Sequence, residues 1–256
     1  MEHGLSLHIL LDNGRQVLFD MGQRRLFADN AERLGIRLAD VDAAIVSHGH
    51  YDHGGGLRAF LELNDKAKVY VHRHAFEPHY SLRESGLRYI GIDHDLATHE
   101  RVVLCGDETQ IGEDMVLFAG VDGQCLMPAG NRLLFGPRQD VNDDFRHEQS
   151  LIIKEKEKTV LFAGCAHSGI VNIIRKGIRV AGRPFTHVFA GMHLVKNGLS
   201  EEGEAAFIHS LAQELTAQAH CHYFTMHCTG TTQYGLLSKE MSETISYMAC
   251  GDRVKI

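Results

Sequence analysis

The sequence predicts an α/β fold, and two observations support this prediction. Short apolar runs such as residues 43–46 alternate with segments of helical spacing such as residues 57–63, in both halves of the chain. At residues 43–63, 159–176 and 187–194, a hydrophobic strand runs into a turn rich in glycine and histidine and then towards a helix. Open α/β sheets gather their ligands at the carboxyl ends of strands, so these turns also predict where a functional site lies.

The first predicted elements are a hairpin and a helix. Apolar runs at residues 5–11 and 16–20 are separated by a turn-forming stretch at residues 12–15, which is typical of a hairpin. Residues 26–34 have helical spacing, and Gly35 ends that helix. The other predicted strands are residues 41–47, 68–72, 101–104, 115–119, 132–135, 150–154, 159–163, 187–191 and 222–225, and the other predicted helices are residues 57–63, 170–176 and 200–218.

The composition is that of an ordinary globular protein. Of the 256 residues, 44% are apolar and 23% charged, and no linker divides the chain, so we expect one domain over residues 1–256. The net charge of −7 argues against nucleic acid or membrane as a partner, and no apolar run approaches the ~18 residues that span a bilayer. Six cysteines without a Cys-x-x-Cys pair are typical of reduced thiols. We therefore expect a soluble, cytoplasmic protein that acts on a small molecule.

Histidine is unusually frequent, with eighteen in the chain, and one cluster of histidines carries the functional prediction. His48, His50, Asp52 and His53 place four ligand-type side chains within six residues directly after a strand. His48 and His50 can point the same way from an extended segment, whereas Asp52 and His53 follow where the chain turns into a helix. The alternative is a solvated loop, or histidines that bond to backbone carbonyls, but four ligands in a strand–loop–helix context favour metal binding. Imidazole and carboxylate suit zinc first, with manganese or iron as alternatives, at one or two ions per chain.

This cluster resembles the signature of the metallo-β-lactamase superfamily, and the resemblance covers nearly the whole chain. It implies a four-layer αβ/βα sandwich with the metal site at one edge of its two sheets. Residues 17–22 are similar to the superfamily's early Asp-x-Gly element, whose aspartate, here Asp20, orients the histidine loop. The stretch that usually precedes His3-Gly4-Leu5-Ser6-Leu7 is absent, so we expect the first strand of the fold to be missing from this sequence.

Five further segments narrow the resemblance. They are His3-Gly4-Leu5-Ser6-Leu7, Asp143-Asp144-Phe145-Arg146-His147-Glu148-Gln149, Gly164-Cys165-Ala166-His167-Ser168-Gly169, Gly191-Met192-His193-Leu194 and His227-Cys228-Thr229-Gly230. Together they are similar to the family named after an archaeal dihydropterin-methyl-ribofuranosylaminobenzene 5′-phosphate synthase. That activity belongs to pterin cofactor biosynthesis, and most relatives are known as predicted metal-dependent hydrolases.

The resemblance implies metal ligands outside the cluster. His147 stands where the third histidine of the first metal is expected, and His227 matches the superfamily's last metal histidine. Cys165 occupies the position of an aspartate that usually bridges two metals, and His167 is the competing candidate. His167 is our first choice, because a neutral imidazole binds without losing a proton. His193 follows a strand, where it can contact substrate or cap the next turn.

The predicted chemistry is hydrolysis at a mono- or dinuclear metal site. A metal-bound hydroxide suits attack on a small phosphoester, lactone or related substrate, and Asp52 can both ligate and steer the nucleophile. The alternatives are a synthase in pterin cofactor biosynthesis that acts on a phosphorylated substrate, a redox protein with iron, and a non-catalytic metal-binding scaffold. His50 counts against redox chemistry, because redox members of the superfamily usually carry a glutamate there.

Overall fold

Strands and helices alternate along the chain in the computed structural model, which describes residues 2–195 and 198–256. The strands are β1 (Leu7–Leu10), β2 (Gln16–Phe19), β3 (Ala43–Val46), β4 (Lys68–His72), β5 (Tyr80–Arg83), β6 (Gly86–Tyr89), β7 (Val102–Cys105), β8 (Glu108–Ile111), β9 (Met115–Ala119), β10 (Leu134–Phe135), β11 (Gln149–Glu155), β12 (Lys158–Ala163), β13 (His187–Ala190), β14 (His222–Thr225) and β15 (Ile245–Tyr247). The helices are α1 (Leu26–Arg33), α2 (Tyr51–Gly54), α3 (Leu57–Leu63), α4 (Ile170–Ala181), α5 (Glu201–Thr216) and α6 (Thr231–Met241). Within those described ranges, no helix has the length and apolar character needed to cross a membrane.

The chain forms two units, each with a hydrophobic core of its own. The first unit runs to Glu108 and resumes at Leu133–Gln149, and the second comprises Thr109–Arg132 and Ser150–Ile256. One core contains buried side chains of the first unit only, and another contains buried side chains of the second unit only. A single domain over residues 1–256 stays a prediction.

The first unit is built on a five-stranded sheet in the order β1-β2-β3-β4-β7, and a smaller sheet joins β10, β5 and β6. β1 and β2 pair antiparallel, which confirms the predicted hairpin, whereas β2, β3, β4 and β7 run parallel. Every residue of β3 is buried, as is typical of a central parallel strand. Because parallel strands point the same way, the segments after β2, β3 and β4 begin at one edge of the sheet.

The helices of the first unit contribute apolar side chains to its core. α1 buries Phe27 and Ala31, and α3 buries Leu57 and Phe60, in a cluster with strand side chains such as Val69. The α3 bounds agree with the prediction for residues 57–63. The short helix α2 directly precedes α3 and carries part of the histidine cluster.

The second unit contains a seven-stranded sheet in the order β15-β14-β13-β12-β11-β9-β8. β12 to β15 are parallel, and β11 pairs antiparallel with β12. α4 buries one apolar face that includes Ile173 and Ile174, and α5 begins after Ser200, whose hydroxyl accepts the Gly203 N–H. The carboxyl ends of β12, β13 and β14 therefore share one edge, as those of β2, β3 and β4 do in the first unit.

The structure differs from the sequence prediction in the middle and at the end of the chain. The middle contains the hairpin β5–β6, which was not predicted. A 3₁₀ turn at Ala129–Leu133 takes the first half of the strand predicted at residues 132–135, and β10 is the second half. The strand at residues 222–225 is not the last, because α6 and β15 follow it. α6 buries only Leu237 and Met241, so its sequence has little of the periodicity that predicts a helix.

Asn64, at the end of α3, gives a test of the first unit's stability. Its side-chain NH2 donates to the carbonyls of Leu38 and Val41 at 2.8 and 2.9 Å, and its Oδ1 accepts the Ala67 N–H at 2.7 Å. We expect Asn64→Ala to lower the free energy of unfolding by about 2–4 kcal/mol, because it leaves these buried backbone groups unsatisfied. Urea unfolding measures the change, with the exposed neighbour variant Asp65→Ala as control. Equal stability of the two variants would contradict this account.

Candidate metal centre

The histidine cluster lies at the carboxyl edge of the parallel strands of the first unit. His48, His50 and His53 follow β3 and are 0%, 5% and 0% exposed. His50 has extended backbone angles and is the N-cap of α2, whose first turn carries Asp52 and His53. The predicted change from strand to helix inside the cluster is thus confirmed, and the burial of these imidazoles rules out a solvated loop.

The Asp20 carboxylate holds the cluster in place through hydrogen bonds. It follows β2, is fully buried, and accepts the Ser47 N–H at 2.7 Å and the Ser47 hydroxyl at 2.8 Å. Its Oδ2 also lies 2.6 Å from Nδ1 of His53. A carboxylate can only accept here, so Nδ1 of His53 carries the proton and Nε2 keeps the lone pair that a metal needs.

Ser47 sets the same tautomer in His48. The Ser47 hydroxyl gives its one proton to Asp20, and its oxygen lies 2.8 Å from Nδ1 of His48. The oxygen must therefore accept from His48, which leaves the lone pair of that imidazole on Nε2. Two of the predicted ligands are in this way held in the tautomer that binds metal.

His50 and Asp52 complete the cluster with different exposure. Burial lowers the pKa of His50 well below its ordinary value, and His147 and His79 lower it further, so the imidazole is neutral at pH 7. Asp52 is the most accessible of the four, since its side chain is 17% exposed, and its Oδ2 lies 3.9 Å from Nε2 of His53.

Glycines allow the chain to approach this cluster closely. A Cβ on Gly56 would lie 2.1 Å from the Met21 carbonyl oxygen, in the segment that follows Asp20. Gly56 is therefore required for the close contact between the start of α3 and this segment.

A second group of donors lies beside His50 in the same unit. Nδ1 of His79 and Nε2 of His147 lie 2.8 and 3.3 Å from Oδ2 of Asp143, and all three side chains are at most 3% exposed. One potential ligand atom from each of His50, His79, Asp143 and His147 lies within 4.8 Å of the others. The structure thus places the predicted residue His147 next to His50, together with Asp143 of the same sequence segment, and it adds His79, which the sequence did not assign to the site.

The charge of this second group favours a cation. Burial alone would raise the pKa of Asp143, but the imidazoles of His147 and His79 outweigh it and hold this pKa far below its ordinary range. Burial also lowers the pKa of His147, and His79 adds to this lowering. A buried, ionised carboxylate beside a neutral imidazole carries a negative charge that a divalent cation can balance.

The second unit gathers donors of its own after β12, β13 and β14. Ligand atoms of Cys165, His167 and His193 lie within 4.8 Å of one another, and so do those of Cys165, His227 and Cys228. The structure therefore brings together the four predicted residues of this unit and adds the Cys228 thiol. His193 and His227 have φ of 48° and 50°, a conformation that non-glycine residues adopt rarely and often at functional sites.

In the second unit, Asn131 fixes the tautomer of His167, and the neighbours of Cys228 lower the pKa of its thiol. The Asn131 NH2 donates to the His167 carbonyl at 2.8 Å, so its Oδ1, 3.0 Å from Nδ1 of His167, accepts from that ring and leaves the lone pair on Nε2. Burial alone would raise the pKa of Cys228, but hydrogen bonds from Cys165 and His193 and the charge of His227 lower it well below its ordinary value. A lowered pKa makes the Cys228 thiol easier to deprotonate, and a thiolate ligand suits a soft metal such as zinc.

The residues of each unit fit a bound divalent metal. The fixed tautomers of His48, His53 and His167 present Nε2, and carboxylate or thiol groups accompany them. This donor chemistry suits zinc, manganese or iron and does not by itself choose among them.

Comparison with known proteins gives three consistent results. The model of the metallo-beta-lactamase superfamily matches residues 6–180. An uncharacterized protein of Methanocaldococcus jannaschii is 31% identical to this chain, over 90% of this chain and 84% of its own length. A second protein of that organism is 26% identical, over 99% of this chain and 90% of its own length; it is named 7,8-dihydropterin-6-methyl-4-(beta-D-ribofuranosyl)-aminobenzene-5′-phosphate synthase. The crystal structure of Tm1679, described as a metal-dependent hydrolase of the beta-lactamase superfamily, superposes with a TM-score of 0.76 at 29% identity, covering 100% of this chain and 92% of that one.

Asp20 gives a test of the tautomer argument. We expect Asp20→Asn to weaken metal binding 10–100-fold, because an amide replaces the charged acceptor that holds His53 and Ser47. Competition with a chromophoric chelator measures the affinity. The matched control is Asp42→Asn, since the Asp42 carboxylate instead accepts from Lys66 at the surface. Unchanged metal affinity in the Asp20 variant would show that this carboxylate does not orient the cluster.

Proposed function

The chain belongs to the metallo-beta-lactamase superfamily and has its fold, as the sequence predicted, and we propose that it is a metal-dependent hydrolase of a small phosphoester, lactone or related compound. One observation carries the proposal: Asp20 and Ser47 hold two buried imidazoles, His48 and His53, in the tautomer that binds metal. The Asp52 carboxylate lies beside these imidazoles and is accessible to a substrate. A metal site that only stabilised the fold would not need such an accessible carboxylate, so Asp52 favours catalysis.

We assign His48, His50, Asp52 and His53 as metal ligands of the first unit. Zinc is the metal we propose first, with manganese or iron as alternatives. When bound, a divalent metal supplies Lewis acidity that lowers the pKa of water and polarises a phosphoryl or carbonyl oxygen. Ligation by His147, Cys165, His167 and His227 stays a prediction.

Asp52 and His193 are the residues that we propose to act on substrate. Asp52 is partly exposed, so its carboxylate could hold the proton of an attacking water in addition to contacting a bound metal. His193 is partly buried after β13, and its imidazole can donate a hydrogen bond to an anionic substrate. The proposed hydrogen bond from His193 therefore favours a substrate that carries a negative charge.

A second candidate function is synthesis in pterin cofactor biosynthesis. The observation that favours it is the 26% identity, over 99% of this chain, to the M. jannaschii synthase. Incubation with a phosphorylated aminobenzene ribofuranoside and a dihydropterin that carries a pyrophosphate leaving group distinguishes the two. A synthase would join the two reactants and release pyrophosphate, whereas a hydrolase would add water to one of them.

The first prediction of this proposal concerns metal content and activity. We expect protein purified without added metal or chelator to contain one to two equivalents of zinc, manganese or iron. A panel of phosphoesters, lactones and thioesters on the same preparation should identify one class that is hydrolysed, and chelator treatment should remove that activity. Well under one equivalent of metal would contradict the proposal.

The second prediction concerns two residues of the cluster. We expect His50→Ala and Asp52→Ala each to lower turnover at least ~100-fold while the fold is retained, because the side chains lie in a loop and the first turn of α2. Circular dichroism checks the fold, and the exposed variant His209→Ala on α5 is the control. Wild-type turnover in either variant would refute the assignment.

A further inference from the structure

We propose that His79 is a metal ligand of the first unit through Nε2, and that Asp143 and His147 are the residues that position it. His79 lies between β4 and β5, outside every motif of the sequence. The inference deepens the proposed function and rests on it in one respect, namely that His50 binds a metal ion beside His79.

The hydrogen bonds of Asp143 fix the tautomer of His79. Oδ1 of Asp143 accepts the Phe145 N–H at 2.8 Å, and Oδ2 lies 2.8 Å from Nδ1 of His79. The carboxylate accepts, so Nδ1 of His79 carries the proton and Nε2 carries the lone pair. This is the carboxylate–histidine arrangement that orients imidazole ligands in metal sites.

Nε2 of His79 is buried and has no hydrogen-bond partner among residues 2–195 and 198–256, and the side chain is 1% exposed. Buried polar atoms are nearly always satisfied, so this nitrogen requires an explanation. A protonated His79 in an ion pair with Asp143 would leave a buried N–H at Nε2 without an acceptor in those ranges. A metal ion satisfies the same atom without adding an unpaired group.

Gly49 places this nitrogen against the histidine cluster. A Cβ on Gly49 would lie 2.6 Å from Nε2 of His79 and 2.4 Å from the Ala75 carbonyl oxygen. Only glycine therefore admits the ring of His79 to the segment between His48 and His50. The glycine of the motif, as well as its histidines, contributes to the site.

Neither ring nitrogen of His147 is available to a metal ion in this structure. Its Nδ1 accepts the Gly49 N–H at 2.9 Å, so the proton is on Nε2, which lies 3.3 Å from Oδ2 of Asp143, within ion-pair distance but outside hydrogen-bond geometry. In this orientation His147 offers no lone pair to a metal. We infer that it supports Asp143, and that His79 takes the ligand role that the sequence predicted for His147.

The distances permit coordination. One potential ligand atom from His50, His79 and Asp143 lies within 4.8 Å of the others. Ligands of a tetrahedral zinc ion with bonds of 2.0–2.1 Å stand about 3.4 Å apart. The ring centroids of His50 and His79 are 5.7 Å apart, a separation at which one nitrogen of each ring can reach a shared ion.

Cobalt(II) titration of the whole chain tests the proposal, since cobalt reports its ligand set in the visible spectrum. We expect His79→Gln to weaken cobalt binding at least ~100-fold and to change the spectrum at saturation, because one ligand is lost. We expect Asp143→Asn and His147→Gln to weaken binding 10–100-fold but to leave the saturated spectrum unchanged, because neither touches the ion. His8→Gln, whose imidazole bonds to Gln16 away from the cluster, is the control.

The outcomes separate this inference from the proposed function. If His48→Ala abolishes cobalt binding while His79→Gln keeps the wild-type affinity and spectrum, the inference is wrong and the proposed function stands. If the wild-type chain binds no cobalt, both fail. Should His79→Gln not fold, zinc-edge anomalous diffraction from wild-type crystals decides: an ion about 2.0–2.1 Å from Nε2 of His79 supports the proposal, and one beyond about 3 Å overturns it.

Discussion

The buried Asp20 carboxylate is the constraint on which the candidate site depends. A carboxylate with 0% exposure is tolerable only when its oxygens are satisfied, and here Ser47 and His53 satisfy them. Ser47 directly follows β3, and His53 lies in α2 a few residues later. The bond from the Asp20 N–H to the Ile45 carbonyl aligns the ends of β2 and β3, which brings both partners to Asp20. The register of two parallel strands thereby determines which ring nitrogens of the cluster can bind a metal.

In both units, a neighbouring oxygen fixes the tautomer of an imidazole at the edge of a parallel sheet. Parallel strands deliver their following turns to one edge, and a neighbouring oxygen then fixes the tautomer of an imidazole there: Asp20 for His53, Asp143 for His79 and Asn131 for His167. Such partners keep Nε2 in the form that binds metal and restrict the ring to one orientation. Burial acts in the same direction, since it lowers the pKa of His50 and His147 and so keeps protons from competing with metal.

Close packing around the cluster explains why glycine and histidine occur together in it. Gly49 admits the ring of His79, and Gly56 admits the Met21 carbonyl. A larger residue at either position would collide with backbone as well as side chain, so the loss would affect the site through its geometry. The glycines are thus part of the binding arrangement although they offer no ligand atom.

The sequence by itself determined the α/β fold class, the bounds of elements such as α3 and β4, and the six-residue cluster from His48 to His53. Those features depend on neighbours within a few residues, so periodicity and spacing express them. Only the tertiary structure revealed His79 and the roles of Asp143 and His147, because the contact of His79 with Asp143 joins residues 64 apart and that of Gly49 with His147 joins residues 98 apart. No local pattern encodes such contacts. They exist because parallel strands and their loops bring distant segments to one edge of a sheet.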